Sequence, residues 1–230
     1  MKKKNSYLIL SEKSWNSSLS KRLKRQFPDY HWHQIKQKGD FIKSKVDKLS
    51  PKKIFIPHWS YIIKEEIYNN YECIVFHMTD LPFGRGGSPL QNLISRGIYK
   101  TKISALKVTG EIDAGPIYLK KNLNLNGNAQ EIFVKANEII ESMIKLIILN
   151  KITPNIQEGK PTYFKRRTPI MSKINNEIKN TRNLYDHIRM LDAEGYPKAY
   201  YETDNFKFEF SNAQYQSDKI ILSNVRIIKK

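Results

Sequence analysis

His77 stands where a continuous apolar run, ECIVF (72–76), gives way to a segment dense in glycine and proline, MTDLPFGRGGSP (78–89). An imidazole at such a boundary can hold or move a proton near neutral pH; it can equally be a structural histidine bonded to a loop carbonyl. Asp113 follows 36 residues later (113 − 77), in the turn TGEIDAG between two apolar segments and flanked by Gly110 and Gly115. Its carboxylate can cap its own turn, or it can orient an imidazole and help remove a proton from an amine while the imidazole meets charge developing on a carbonyl oxygen. FGRGGSP offers backbone N–H groups and a fixed cation, Arg85. It is no phosphate P-loop, because the Gly-Lys-Ser/Thr ending is missing.

The elements that must position these groups follow from hydrophobic periodicity. YLIL (7–10), HWHQI (31–35), KIFIPHW (53–59) and ECIVF (72–76) read as strands. The continuous apolar run of ECIVF is the signature of a strand covered on both faces. Between the strands lie helices: one that Ser14 could cap, with Trp15, Leu19 and Leu23 at helical spacing, then 40–48 and 62–68. This alternation implies βαβ units and a mostly parallel, Rossmann-like α/β sheet, in which carboxyl ends of strands border the ligand crevice. A helix over 89–97 closed by Gly97 and strands over 102–108 and 116–125 come next. Then comes a long helix capped by Asn128 with Glu131 completing a capping box. Three parts are expected: 1–150 as the main domain, 151–176 as a polar connector, and 177–230 as a small C-terminal α+β extension with a helix (181–194) and two or three strands.

Composition sets limits. A hydrophobic fraction of 40% can fill a core. No apolar run approaches the ~18 residues of a membrane span, and one cysteine, Cys73, excludes an internal disulfide or a Cys-based zinc cluster. A cytoplasmic location fits best. The net charge of +18 invites a nucleic-acid reading, yet the lysines are spread along the chain rather than gathered in one patch. His31 and His33 could share a metal but lack a third ligand, Cys73 reads as packing, and Lys165-Arg166-Arg167 reads as a solvated connector or a phosphate contact. Trp59 could stack on a ligand ring or fill the core.

Together these segments resemble the formyltransferase family, which includes methionyl-tRNA, glycinamide ribonucleotide and sugar N-formyltransferases. The family pattern Asn-x-His-x-Ser-x-Leu-Pro, followed by Arg-Gly and Pro, appears as Val75-Phe76-His77-Met78-Thr79-Asp80-Leu81-Pro82 and Arg85-Gly86-Gly87-Ser88-Pro89. The second motif, Asp-x-Gly-Pro, appears as Asp113-Ala114-Gly115-Pro116. The likeness covers roughly residues 50–150 well and the rest loosely. It implies a formyltransferase domain that uses 10-formyltetrahydrofolate as formyl donor, His77 stabilising the oxyanion and Asp113 orienting His77 and relaying the amine proton. No metal is implied. The pterin would lie near 57–63 and 109–115, so Trp59, Tyr61, Asp80, Arg85, Gly86, Gly87, Gly110 and Ile112 are candidate substrate or cofactor contacts.

The departure from the pattern is Val75, which stands where the family has Asn and offers no side-chain donor. Losing one oxyanion donor costs roughly 3–4 kcal/mol, so an active enzyme needs a substitute: His58, Ser60, Thr79 or backbone amides. Alternatively, the chain only binds. The expected acceptor is the amine of a nucleotide-linked amino sugar, because the part after 176 is short. Methionyl-tRNA is the alternative acceptor, and a homodimer through unpaired strand edges is conceivable.

Overall fold

The computed structural model describes residues 5–230. In chain order the elements are β1 (Ser6–Ser11), α1 (Leu19–Gln26), β2 (His31–Ile35), α2 (Lys43–Leu49), β3 (Lys53–His58), α3 (Glu65–Tyr68) and β4 (Glu72–His77). Next are β5 (Arg85–Gly86), α4 (Pro89–Ile94), β6 (Lys100–Lys107), β7 (Ile117–Asn124) and α5 (Ala129–Leu149). Last are β8 (Tyr163–Phe164), α6 (Thr181–Arg189), β9 (Ala199–Glu202), β10 (Phe206–Ser217) and β11 (Ile220–Lys229). Two compact units divide the chain: residues through 85, 102–123 and 134–163 form one, and 86–101, 124–133 and 164–230 the other.

The first unit is built on a six-stranded sheet of order β2-β1-β3-β4-β6-β7. β1 pairs in parallel with β2 and β3, and β3 with β4, whereas β6 runs antiparallel to β4. The sheet is therefore mixed and mostly parallel, as the alternating pattern predicts. Strand side chains alternate between faces. Leu8, Leu10, Ile54, Ile56 and Cys73 share one face and pack with Ile35, Phe41, Val46, Ile63 and Ile67. Tyr7, Ile9, Phe55, Ile74 and Phe76 are buried as well, and their rings touch in series, Tyr7 to Phe55 at 5.9 Å and Phe55 to Phe76 at 6.5 Å between centroids. With both faces covered, each buried aliphatic side chain contributes roughly 1.5–3 kcal/mol.

Two expectations need correction. Ser14 caps no α-helix: Ser14–Asn16 is a single 3-10 turn, and α1 begins at Leu19. Asn16 is withdrawn to bond Ser11 Oγ at 2.9 Å, and that local bond wins over helix propagation. Residues 150–176, expected to be a plain connector, carry β8, a 3-10 turn at Pro169–Ser172 and a bridge from Asn155 to Ile117.

The second unit holds α4, α6 and an antiparallel sheet of order β11-β10-β9. The capping box before α5 forms as read: Asn128 Oδ1 accepts from Glu131 N at 2.9 Å, and Glu131 Oε2 from Asn128 N at 3.0 Å. Buried Arg189 pairs with Asp186 at 2.7 Å and donates to the carbonyls of Leu125 and Gly127. No helix among the described residues is long and apolar enough to cross a membrane.

Candidate active site

β4 ends at His77, and alternation along ECIVFH puts Cys73, Val75 and His77 on one sheet face. Cys73 is buried in the core, and burial pushes its thiol up to about 12, which makes it a packing residue rather than a nucleophile. Val75 packs against the same apolar cluster. His77 is the last of the three and sits where the strand runs into its loop, only 8% exposed.

Both ring nitrogens of His77 face acceptors. Nε2 lies 2.8 Å from the carbonyl oxygen of Gly84, and Nδ1 lies 3.5 Å from Asp113 Oδ2. A carbonyl oxygen can only accept, so Nε2 is the donor in the first contact. The two residues read from sequence as a chemical pair thus meet.

Asp113 reaches His77 because the turn between β6 and β7 is built tightly. Its backbone has φ +52°, in the left-handed region, which Asp tolerates better than most residues. Two residues on, a Cβ at Gly115 would lie 1.8 Å from the Lys107 carbonyl oxygen, so only glycine fits. Gln157 closes the turn: its Nε2 donates to the carbonyls of Asp113 and Gly115, both at 2.8 Å. Gln157 Oε1 in turn accepts from Arg85 Nη2 at 3.0 Å and from Nε at 3.3 Å. Arg85 Nη1 is bonded to Glu111 at 3.2 Å and to the Tyr163 hydroxyl at 3.4 Å.

The buried guanidinium of Arg85, read from sequence as a ligand-facing cation, is therefore committed to the turn that carries Asp113. Sequence reading missed Gln157, Glu111 and Tyr163. Nothing in NIQEGKPTYF distinguishes that glutamine from any solvated one. Thr162 extends the clamp: its Oγ1 accepts from Gly84 N at 2.7 Å and its carbonyl from Arg85 N at 2.9 Å.

Of the proposed substitutes for the missing Asn, Thr79 is fully buried and donates to Gly84 O at 3.4 Å, the carbonyl that also meets His77. His58 and Ser60 are placed differently. The sheet order changes direction between β1 and β3, and the loop after β1 engages both residues there: His58 lies edge-on to Trp15 at 5.4 Å, and Ser60 donates to Glu12 at 2.8 Å. Burial, with Lys13 nearby, pushes the His58 imidazole down to about 3.

The remaining candidates divide. Trp59 stands between Phe41 and Tyr61 at 6.0 and 5.2 Å, while Tyr61, Ile62 and Ile112 leave apolar surface open to solvent. Asp80 is paired with Lys102 at 2.9 Å and Lys120 at 2.5 Å, so it anchors its loop to β6 and β7. Gly110 has room for a Cβ, with the Tyr68 hydroxyl at 3.4 Å. Gly86 (φ +101°) and Gly87 lie in the second unit, where a Cβ would meet the Phe164 carbonyl oxygen at 2.6 Å and Arg166 Cβ at 2.5 Å. Their role there is close backbone packing. Among the described residues, no group of three or more His, Cys, Asp or Glu is arranged to hold a metal.

A family model described as methionyl-tRNA formyltransferase, C-terminal domain, matches residues 169–228. A solved structure described as methionyl-tRNA formyltransferase from Clostridium thermocellum is 45% identical, covers 98% of this chain and all of its own, and superposes with a TM-score of 0.94. A methionyl-tRNA formyltransferase from Sulfurihydrogenibium sp. (strain YO3AOP1) is 26% identical over 90% of this chain and 66% of its own length. A sugar N-formyltransferase from Shewanella sp. FDAARGOS_354 shares the fold, with a TM-score of 0.73 at 17% identity over 94% of this chain and all of its own. The chain spans about half to two thirds of the length of the first curated relatives it matches.

Proposed function

This chain belongs to the formyltransferase family, and from that premise we propose that it transfers a formyl group from 10-formyltetrahydrofolate to the amine of an aminoacylated tRNA. The observation that carries the transfer reading is the contact between a buried imidazole and a carboxylate, His77 Nδ1 to Asp113 Oδ2 at 3.5 Å. The acceptor reading draws on the 45% identical relative from Clostridium thermocellum and on the C-terminal model over 169–228. A net charge of +18 also favours a polyanionic partner.

The site has the character a folate needs. Tyr61, Ile62 and Ile112 expose apolar surface on the loops after β3 and β6, which suits one side of a planar heterocycle, with Trp59 supporting Tyr61. When bound, the folate supplies an electrophilic formyl carbon on nitrogen. The Nε2–H of His77, held by the Gly84 carbonyl before substrate arrives, is the donor that turns to negative charge growing on the formyl oxygen. Asp113 holds the imidazole and takes up the proton that the acceptor amine sheds, returning it to the folate nitrogen as the old carbon–nitrogen bond breaks. The Gly84 carbonyl, to which Thr79 also donates, holds the ring from the other side, and the Arg85–Gln157 clamp fixes the turn that carries the carboxylate.

The nucleotide-linked amino sugar, the main expectation from sequence, has weaker support than its alternative, because the sugar N-formyltransferase above enters at 17% identity, a likeness of fold. The test is direct: the protein is incubated with 10-formyltetrahydrofolate and either methionyl-tRNA or UDP- and dTDP-linked amino sugars. Formylmethionyl-tRNA is the expected product. Formylated sugar alone would overturn the acceptor, and no product with any amine would overturn the transferase reading.

A further inference from the structure

The basic run Lys165-Arg166-Arg167 is not absorbed by the transfer chemistry. Within the second unit it is tied to the first turns of α4. Arg167 N donates to Ser88 Oγ at 3.1 Å, and Asn92 Nδ2 donates to the Lys165 carbonyl at 2.9 Å. Arg96, just beyond α4, bonds the same asparagine, reaching its carbonyl at 2.7 Å and its Oδ1 at 2.8 Å through Nη1. Its guanidinium also lies 4.7 Å from the Phe164 ring centroid. Arg96 and Arg167 are thus gathered at one short segment, Arg96 exposed and Arg167 half-buried.

The two guanidiniums stand apart from three other arginines of the chain. Arg22, Arg85 and Arg189 each pair with an acid. Among the described residues, Arg96 and Arg167 form no ion pair with Asp or Glu. Arg167 Nη2 donates to the Met171 carbonyl, yet its Nε is buried without a hydrogen-bond partner. Burial and the neighbouring charge of Arg96 lower the Arg167 guanidinium from its ordinary value. His187, which also feels the Arg167 charge, is bonded to the Ser172 carbonyl at 3.1 Å and supplies no negative charge. A half-buried cation without a counterion is costly, and such groups concentrate where a ligand completes them.

We infer that Arg96 and Arg167, at the Ser88–Asn92 turn, bind a phosphoryl group. Paired guanidinium forks match phosphate oxygens, and both acceptor classes considered above carry phosphates. Assigning that phosphate to the formyl acceptor rests on the proposed function; the anion site itself does not.

Binding is measured by calorimetry and thermal melting at constant ionic strength, with inorganic phosphate, UDP and a short RNA hairpin as probes. At least one should bind wild-type protein saturably and raise its melting temperature. The R96Q/R167Q pair should weaken that binding tenfold or more, R167K should weaken it partly, and K21Q/K24Q on the exposed face of α1 should leave it unchanged. Tighter binding of the hairpin identifies a phosphodiester ligand, and tighter binding of UDP a diphosphate. R167Q without phosphate should melt at or above the wild-type temperature, because an uncompensated charge is gone. The site is refuted by the absence of saturable binding to all probes, by equal binding to the arginine variants, or by equal weakening in the lysine control. It is equally refuted if R167Q melts lower while phosphate stabilises wild type and variant alike. None of these readouts needs turnover, so the site and the transferase reading can fail separately.

Discussion

Two histidines end neighbouring parallel strands, His58 on β3 and His77 on β4, and they are prepared for opposite work. His77 has a carbonyl on one nitrogen and a carboxylate on the other. His58 has the edge of Trp15 and the positive charge of Lys13 around a desolvated ring, which hold it neutral, down to about 3. A strand terminus in a parallel sheet delivers a side chain to the crevice, but the neighbours decide whether that side chain can manage a proton.

Replacing His77 or Asp113 should give the largest effect. Alanine at either position should lower kcat by about 10²–10⁴ with circular dichroism unchanged, and a wild-type rate in either variant would break the comparison. The next effect belongs to the clamp. Gln157→Ala removes both donors from the Asp113 turn, and kcat should fall by about 10–100-fold through lost positioning while KM for the folate stays within a few-fold. An equal loss in KM would mean that Gln157 touches the ligand.

The pH dependence of stability should show His58. Its folded value is depressed, so between pH 6.5 and about 3 the unfolded chain binds the extra proton. Stability from this residue is complete above the ordinary histidine value and is lost as pH falls through that window, at most about 2 kcal/mol between pH 6.5 and 5. His187, also lowered by burial, acts in the same direction. Denaturant titrations of wild type and His58→Gln at pH 7 and 5 would measure the difference, and identical slopes would remove His58 from the account. The smallest effect is on catalysis: His58→Gln should change kcat less than about threefold, whereas a loss near that of His77→Ala would show that His58 serves the reaction after all.

What the sequence made legible was the part governed by local pattern. The apolar runs located β1, β3 and β4, the Asn128–Glu131 box located the start of α5, and the motif spacing brought His77 to Asp113. The illegible part lies in long-range bonds between polar residues. Gln157 is 44 positions from Asp113, and Arg85 is 72 from Gln157, so no periodicity or turn signal connects them. For the same reason Arg85 reads as a ligand cation until its partners are seen, and His58 as a stand-in for the missing Asn until Trp15 is found beside it. Val75 is the reverse case: its apolar type, a departure from the family motif, is plain in the sequence, and in the fold it packs against the core cluster.

The central claim is that His77 and Asp113 act as one unit, and a double-mutant cycle tests it most directly. Formyl transfer would be followed under single-turnover conditions for His77→Ala, Asp113→Ala and the double variant. The double variant should be no slower than the slower single one, since groups that act together are grossly non-additive. Losses that instead multiply, so that the double variant falls by the product of the two single effects, would contradict the claim.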